Sequence, residues 1–266
     1  MKNLFIFDTL KETLQLSAKH FRLLLCVGVA LAAPVTVQAF AADFARTAGA
    51  TLLPSFLALP IAIIQMLFDA VCRAAILGVL AEPAPELAGT AMRAAIRTRT
   101  WTLFRVGILL TLMVIPVGLI VGFFGVALNH LGTSVVTTTI SIVFGLVFLL
   151  FMKYALADPL VVVKGMGARD SLKSSWRMTR GHFGYVLGCY LLLGVAIVVI
   201  QTFLPFLPYD TAYDIIAAIL INIASAVAGS VWTVLAWVMY VRIVLADAQA
   251  FRSSAPLPAL EDGQTS

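Results

Sequence analysis

The 266-residue chain is 61% hydrophobic and only 12% charged, with a formal net charge of +5. So little polar surface cannot cover a water-soluble globule, which excludes an ordinary soluble domain and indicates a protein that lies in lipid. The positive charge does not indicate a nucleic-acid partner, because the basic residues are spread over the connections between apolar segments instead of forming one patch.

Six apolar segments are long enough to cross a hydrocarbon layer of about 30 Å, which takes about 20 helical residues. They predict an all-α, polytopic helical membrane protein with six transmembrane helices. We expect one integral membrane domain over 1–252 and a disordered cytoplasmic tail over 253–266. The first segment ends in small residues that a signal peptidase accepts, but its length favours a retained span over a cleaved leader. The predicted spans are 23–42, 56–80, 102–128, 135–157, 184–207 and 212–246.

The basic residues are distributed unevenly over the connections between these spans. Clusters at the N-terminus, at 93–99 and at 153–180 alternate with connections that hold one arginine, no charge or an acidic pair. Membrane proteins keep lysine and arginine in their cytoplasmic loops. The distribution therefore predicts that both termini lie in the cytoplasm.

A short segment with the same layout precedes each odd-numbered span. Apolar residues recur on one helical face and basic residues on a neighbouring face, so each copy predicts an amphipathic helix in the membrane interface. The chain would then consist of three repeated helical hairpins, over 10–82, 92–158 and 172–247. The alternative is that basic flanks recur in any membrane protein built from hairpins. The copies are Leu10–Phe21, Met92–Leu103 and Leu172–Phe183.

Asp69 and Arg73 form a charged pair inside the second predicted span. Their i, i+4 spacing places them on one helix face, in the order that lets the charges meet. A charge at the centre of a membrane helix costs about 2.5–3.5 kcal/mol on insertion scales, so such a pair marks a site or pathway by default. The alternative is a self-neutralised structural pair, with Arg73 extending toward the interface.

The third copy of the repeat carries three basic residues beside a tryptophan. Lys173, Arg177 and Arg180 share one helical face, while Trp176 lies on the apolar face. Guanidinium groups match phosphate oxygens bidentately, and tryptophan prefers the headgroup level of a membrane. These four residues therefore predict a lipid- or phosphate-binding site. The alternative is nonspecific attraction to anionic lipid, worth about 1 kcal/mol per basic residue.

The sequence contains no pattern typical of a catalytic or metal site. Its three cysteines are dozens of residues apart and each falls in a predicted span, where a thiol acts as a small hydrophobe. No nucleophile and base occur at a recognisable spacing. We expect no cofactor, no metal and no catalytic residue. Small residues spaced four apart, such as Ser225 and Gly229, predict that helices pack closely at these positions. The cysteines are Cys26, Cys72 and Cys189.

The segment from Ala157 to Phe183 resembles a known bacterial family. Its strings Ala157-Asp158-Pro159 and Ser175-Trp176-Arg177-Met178-Thr179-Arg180-Gly181-His182-Phe183 are similar to the glycerophosphoryl diester phosphodiesterase membrane domain family. The resemblance implies an integral protein of the bacterial inner membrane. It implies no catalytic residues, because phosphodiesterase activity in such proteins resides in a separate soluble barrel. No polar stretch of this sequence is long enough for that barrel.

Together these features predict a non-catalytic inner-membrane protein that organises or binds lipid headgroups, or a partner protein, at its cytoplasmic face. Self-association through small residues is compatible with the same expectation. The alternative function is a transporter or channel for a lipid or small solute that uses Asp69 and Arg73. An enzyme acting on lipid is the third option, which the lack of a catalytic motif disfavours.

Overall fold

The computed structural model describes residues 5–47, 53–128, 145, 147–203 and 213–254. Within these ranges the chain forms eight helices, a further helical stretch at 147–152 and no strand. The helices are α1 (Ile6–Lys19), α2 (Phe21–Thr47), α3 (Leu53–Ala81), α4 (Ala88–Leu128), α5 (Ala157–Lys164), α6 (Ala168–Gly181), α7 (Phe183–Phe203) and α8 (Tyr213–Ser254).

Three of these helices are long and apolar enough to cross a membrane, and the number rises to five when each of two bent helix pairs counts as one span. The all-α membrane architecture is therefore supported, but six spans are not reached within the described ranges. The predicted fourth span, 135–157, falls largely on 129–144, outside the described residues. Its predicted end was wrong, because 153–156 form a turn. Helix α8 continues to Ser254, and residues 255–266, which make up most of the predicted tail, lie outside the described residues.

Two of the three predicted amphipathic helices are separate elements that turn sharply into an apolar helix. The chain bends by 82° between α1 and α2 and by 97° between α6 and α7. His20 and His182 are the C-cap residues at these two bends, so the His-Phe pairs of the first and third copies occupy equivalent positions. This agrees with the first and third repeat units.

The prediction for the second copy was wrong, because Met92–Leu103 is part of α4, which runs unbroken from Ala88 to Leu128. Close packing against α3 explains the difference. A Cβ atom added to Gly78 of α3 would lie only 2.7 Å from the Cβ of Ala95 in α4. The first turns of α4 therefore pack against α3 and continue straight into the apolar part of α4, instead of bending away from it as α1 and α6 do from the helices that follow them.

The buried side chains form three clusters that share their inner helices. One cluster joins Met152, α5, α7 and α8, a second joins α3, α4, α5 and α6, and a third joins α2, α3 and α8. Helices α3, α5 and α8 each contribute to two clusters, so they connect the three parts of the core.

Polar contacts connect the short helices to the C-terminal half of α8. Arg242 donates a hydrogen bond from Nε to Oε2 of Glu12 in α1, at 2.9 Å. Nε2 of His182 lies 3.2 Å from Oδ1 of Asp247. Helices α1 and α6 thus lie at the same end of the bundle, together with most of the basic residues, and we call this the basic end.

Ser175 connects α6 to the turn at 153–156. Its hydroxyl is buried, donates to the carbonyl oxygen of Lys153 at 3.0 Å and accepts a hydrogen bond from the backbone nitrogen of Leu156 at 3.1 Å. Ser175 therefore connects α6 to the turn that precedes α5.

Replacing Ser175 by alanine should destabilise the protein by about 1–3 kcal/mol, because a buried backbone N–H and C=O would each lose a partner. Thermal unfolding in detergent measures the change. Ser174→Ala is the matched control, since this neighbouring side chain is partly exposed. Equal effects of the two substitutions would show that the turn does not depend on the Ser175 hydroxyl.

Candidate functional site

Asp69 and Arg73 form an ion pair in the structure, and this pair belongs to a larger cluster. Nη2 of Arg73 lies 2.5 Å from Oδ2 of Asp69, one turn earlier on α3. Nη1 of Arg73 donates to Oδ2 of Asp158, at the start of α5, at 2.8 Å. One guanidinium therefore holds two carboxylates from different helices. Asp69 lies about 18 Å before the end of α3 at Ala81, because an α-helix rises about 1.5 Å per residue.

Asp158 is the residue of this cluster that sequence reasoning did not identify as a site residue. A repeated sequence pattern marks this position, because a Leu-Ala-acidic triplet stands at the end of each even-numbered predicted span. The acidic residues of the three triplets are Glu82, Asp158 and Asp247. The structure gives the three acidic residues different partners. Glu82 accepts from the backbone nitrogen of Ala84, Asp158 pairs with Arg73, and Asp247 lies beside His182.

The cluster is enclosed more at Arg73 and Asp158 than at Asp69. The side chains of Arg73 and Asp158 are 17% and 20% exposed, whereas that of Asp69 is 45% exposed. The Nε atom of Arg73 is buried and has no hydrogen-bond partner among the described residues. Asp69 is therefore the open side of the cluster, and Arg73 keeps one unused donor.

Two cavities adjoin the cluster. The first, of about 330 Å³, lies between α2, α3 and α8, and the second, of about 270 Å³, lies between α3, α4, α7, α8 and residues 151–158. The polar side chains of the first cavity, besides the charged pair, are Gln65, Asn222, Ser225, Ser230 and Thr233. Four residues line both cavities, namely Asp69, Arg73, Gly229 and Thr233.

Gly229 does not make the close helix contact that its spacing from Ser225 predicts. A Cβ atom added to Gly229 would meet no atom within 4 Å. A Cβ atom added to Gly28 or Gly188 would instead contact a side chain of a neighbouring helix. Gly229 is exposed and lines both cavities, so its backbone forms part of the wall next to Asp69 and Arg73.

A groove on the outside of the bundle lies between α4 and α6. Two adjoining depressions, of about 420 and 390 Å³, share Leu109 and Arg169 as lining residues. The apolar side chains along the groove are Ile108, Leu109, Met113 and Leu172. Its charged side chains are Arg105, Arg169, Asp170 and Lys173. The groove therefore combines an apolar wall with a charged rim that has a net positive charge.

The structure divides the four residues of the predicted lipid site. Lys173 and Trp176 line the groove, together with Arg105 and Arg169, which sequence reasoning did not select. Arg177 and Arg180 are exposed on α6 and line none of the cavities described above. The other wall of the groove lies on α4, and no sequence pattern within α6 indicates which helix packs beside it.

Trp176 is held in place by residues of the preceding turn. Nζ of Lys153 lies 3.9 Å from the centroid of the indole ring, and the ring of Tyr154 packs against it at a centroid distance of 5.6 Å. The contact with Lys153 is a cation–π interaction. It fixes Trp176 as one wall of the groove and keeps the positive charge of Lys153 at the basic end.

No grouping typical of a metal site occurs in the part of the chain that the structure describes, where no three His, Cys, Asp or Glu side chains converge. The cysteines are free thiols, with Cys72 and Cys189 buried and Cys26 exposed. The described geometry therefore offers binding surfaces: a charged cluster beside polar cavities, and a basic, apolar-walled groove.

Comparisons with family models, curated proteins and solved structures found no match to this chain. The similarity of Ala157–Phe183 to the membrane domain family therefore stays a prediction.

Proposed function

We propose that this chain is a non-catalytic, multi-pass protein of the bacterial inner membrane that binds anionic phospholipid at its cytoplasmic face. The groove between α4 and α6 is the proposed binding site. Six spans and cytoplasmic termini belong to this proposal, with the basic end at the cytoplasmic surface. Within this proposal, the alternative to lipid is a partner protein that binds the same cytoplasmic face.

The observation that supports this proposal is the pairing of an apolar wall with basic side chains in one groove. A phospholipid presents a phosphate next to two hydrocarbon chains, and the groove offers matching surfaces side by side. The guanidinium of Arg105 lies 5.4 Å from the ring centroid of Trp101, which helps to position it. Arg105, Arg169 and Lys173 are all exposed, so a headgroup can reach them without a rearrangement of the bundle.

Neutralising the three basic residues of the groove should weaken retention of anionic lipid by about 100-fold, at about 1 kcal/mol per charge. The variant carries Arg105→Gln, Arg169→Gln and Lys173→Gln. Native mass spectrometry of the gently extracted protein measures the lipid that stays bound. Titration with phosphatidylglycerol in nanodiscs, against phosphatidylcholine, gives the change in affinity.

The matched control removes three exposed basic residues from the same end of the protein that do not line the groove. It carries Lys164→Gln, Arg177→Gln and Arg180→Gln, so the net charge of the two variants is the same. Lipid retention should fall much less in this control. Equal losses in both variants would mean that lipid responds to overall charge, and the groove would then not be a site.

A second candidate function is transport of a lipid or small solute, and the two polar cavities beside Asp69 and Arg73 favour it. Neutralising both residues, with Asp69→Asn and Arg73→Gln, should then abolish flux of the transported solute in proteoliposomes. Circular dichroism and gel filtration check that the variant is folded. Unchanged flux in a folded variant would leave the pair with a structural role only.

A further inference from the structure

The groove between α4 and α6 consists of two basic depressions that lie side by side. Arg105 and Arg169 line the first, and Arg169 and Lys173 line the second, so each depression holds two cations. Leu109 of α4 also lines both, which places the two depressions next to each other along the same apolar wall. The groove therefore offers two adjacent places for an anion, with the guanidinium of Arg169 common to both.

The charge of the groove matches two phosphates better than one. Its lining contains three basic side chains and one carboxylate, that of Asp170, which leaves a net charge of +2. A headgroup with a single phosphodiester neutralises half of this charge, whereas a headgroup with two phosphodiesters neutralises all of it. Complementary charge of this kind contributes specificity more than raw affinity, so the groove should discriminate between these two classes of lipid.

An exposed apolar surface continues from the groove along α4. Leu112, Met113 and Ile115 are all exposed, and they follow Arg105 within the part of α4 that is long and apolar enough to cross a membrane. Ile115 lies about 15 Å beyond Arg105, because an α-helix rises about 1.5 Å per residue. Acyl chains of a lipid whose phosphates are held at the basic rim can therefore pack against α4.

We propose that the groove selects a dimeric phospholipid, in which a short glycerol bridge joins two phosphates and which carries four acyl chains. One phosphate binds at Arg105 and Arg169, and the other binds at Arg169 and Lys173. This inference rests on the proposed function, because it names the class of lipid for the same groove. Basic pockets between membrane helices at the cytoplasmic side are typical sites for headgroups with more than one phosphate.

Lipid titration of the full-length protein in nanodiscs tests this selectivity. Cardiolipin is the dimeric probe, phosphatidylglycerol is the matched lipid with one phosphate, and phosphatidylcholine forms the background. At equal total phosphate, cardiolipin should bind at least about 10-fold more tightly than phosphatidylglycerol, because the bridge makes the second phosphate contact intramolecular. Comparison at equal phosphate also matches the number of acyl chains, so the difference reports the bridge alone.

Single substitutions at the two ends of the groove test whether both depressions take part. Arg105→Gln changes the first depression alone, and Lys173→Gln changes the second alone. Each variant should lower the preference for cardiolipin to about 2-fold or less, because only one phosphate then keeps both of its cations. The affinity for phosphatidylglycerol should fall by no more than about 5-fold, the effect of one basic residue.

Lys164→Gln is the matched control for these single substitutions. Lys164 is exposed at the end of α5 and lines neither depression, so this variant should keep the full preference for cardiolipin. Gel filtration and circular dichroism check that all three variants are folded. The proposal is overturned if wild-type protein binds both lipids equally at equal phosphate, or if the preference survives both Arg105→Gln and Lys173→Gln.

The variant that lacks all three basic residues of the groove separates this proposal from the proposed function. If the wild-type protein shows no preference and the triple variant loses both lipids, the groove is a lipid site that does not select a dimeric lipid. If the triple variant keeps both lipids, the groove binds neither, and the proposed function falls together with this inference.

Discussion

Replacing Arg73 by methionine should destabilise the folded protein by about 3–5 kcal/mol, the usual cost of removing one partner from a buried ion pair. Asp69 and Asp158 would then face each other without the guanidinium that lies within 2.8 Å of both. Their repulsion adds to the loss of the connection between α3 and α5. Unfolding by SDS titration in mixed micelles measures the change in the free energy of unfolding.

The same substitution becomes tolerable once both carboxylates are neutral. Adding Asp69→Asn and Asp158→Asn to Arg73→Met should recover more than half of the lost stability, because no uncompensated charge stays buried. Arg97→Met is the control for loss of an arginine, since Arg97 is exposed on α4. If Arg73→Met costs no more than Arg97→Met, the cluster does not hold α5 against α3.

Gly78→Leu should cost about 3 kcal/mol or more, because overpacking at a close helix crossing forces backbone movement. The added Cβ would lie 2.7 Å from the Cβ of Ala95 and 3.1 Å from the carbonyl oxygen of Ala91. Neither atom can rotate away, since one is a Cβ and the other belongs to the backbone. Helices α3 and α4 must therefore separate, and thermal unfolding in detergent reports the loss.

Gly89→Leu is the matched control for this substitution. Gly89 lies in the first turn of α4, and a Cβ added there would meet no atom within 4 Å. Leucine has a higher helix propensity than glycine, so this change should leave stability unchanged or raise it by up to about 1 kcal/mol. Similar losses at Gly78 and Gly89 would contradict close packing of α3 against α4.

Local sequence patterns predicted the elements whose structure depends on near neighbours. Five of the apolar segments lie largely in the long helices α2, α3, α4, α7 and α8, and the amphipathic segments at α1 and α6 are separate helices that end at His20 and His182. The i, i+4 spacing predicted the contact between Asp69 and Arg73, since both lie on one helix. Each of these predictions uses only residues within a few helical turns.

Contacts between distant segments are what the sequence patterns do not reveal. The amphipathic pattern at Met92–Leu103 resembles those of α1 and α6, but packing against Gly78 keeps this segment in α4. The proposed groove has one wall on α4 and the other on α6, so a pattern along α6 alone selects Arg177 and Arg180, which do not line it, and does not find Arg105. No local feature of the sequence reveals which helix faces another.

The sequence by itself determined that the chain is helical and apolar, where its basic residues lie and which pair of charges meets on α3. These follow from hydrophobicity and helical periodicity, which act over short distances along the chain. Only the tertiary structure decided that Asp158 joins this pair and that Gly229 lines the cavities beside it. Residues 85 positions apart share one guanidinium because helix packing brings them together, and no spacing in the sequence encodes that distance.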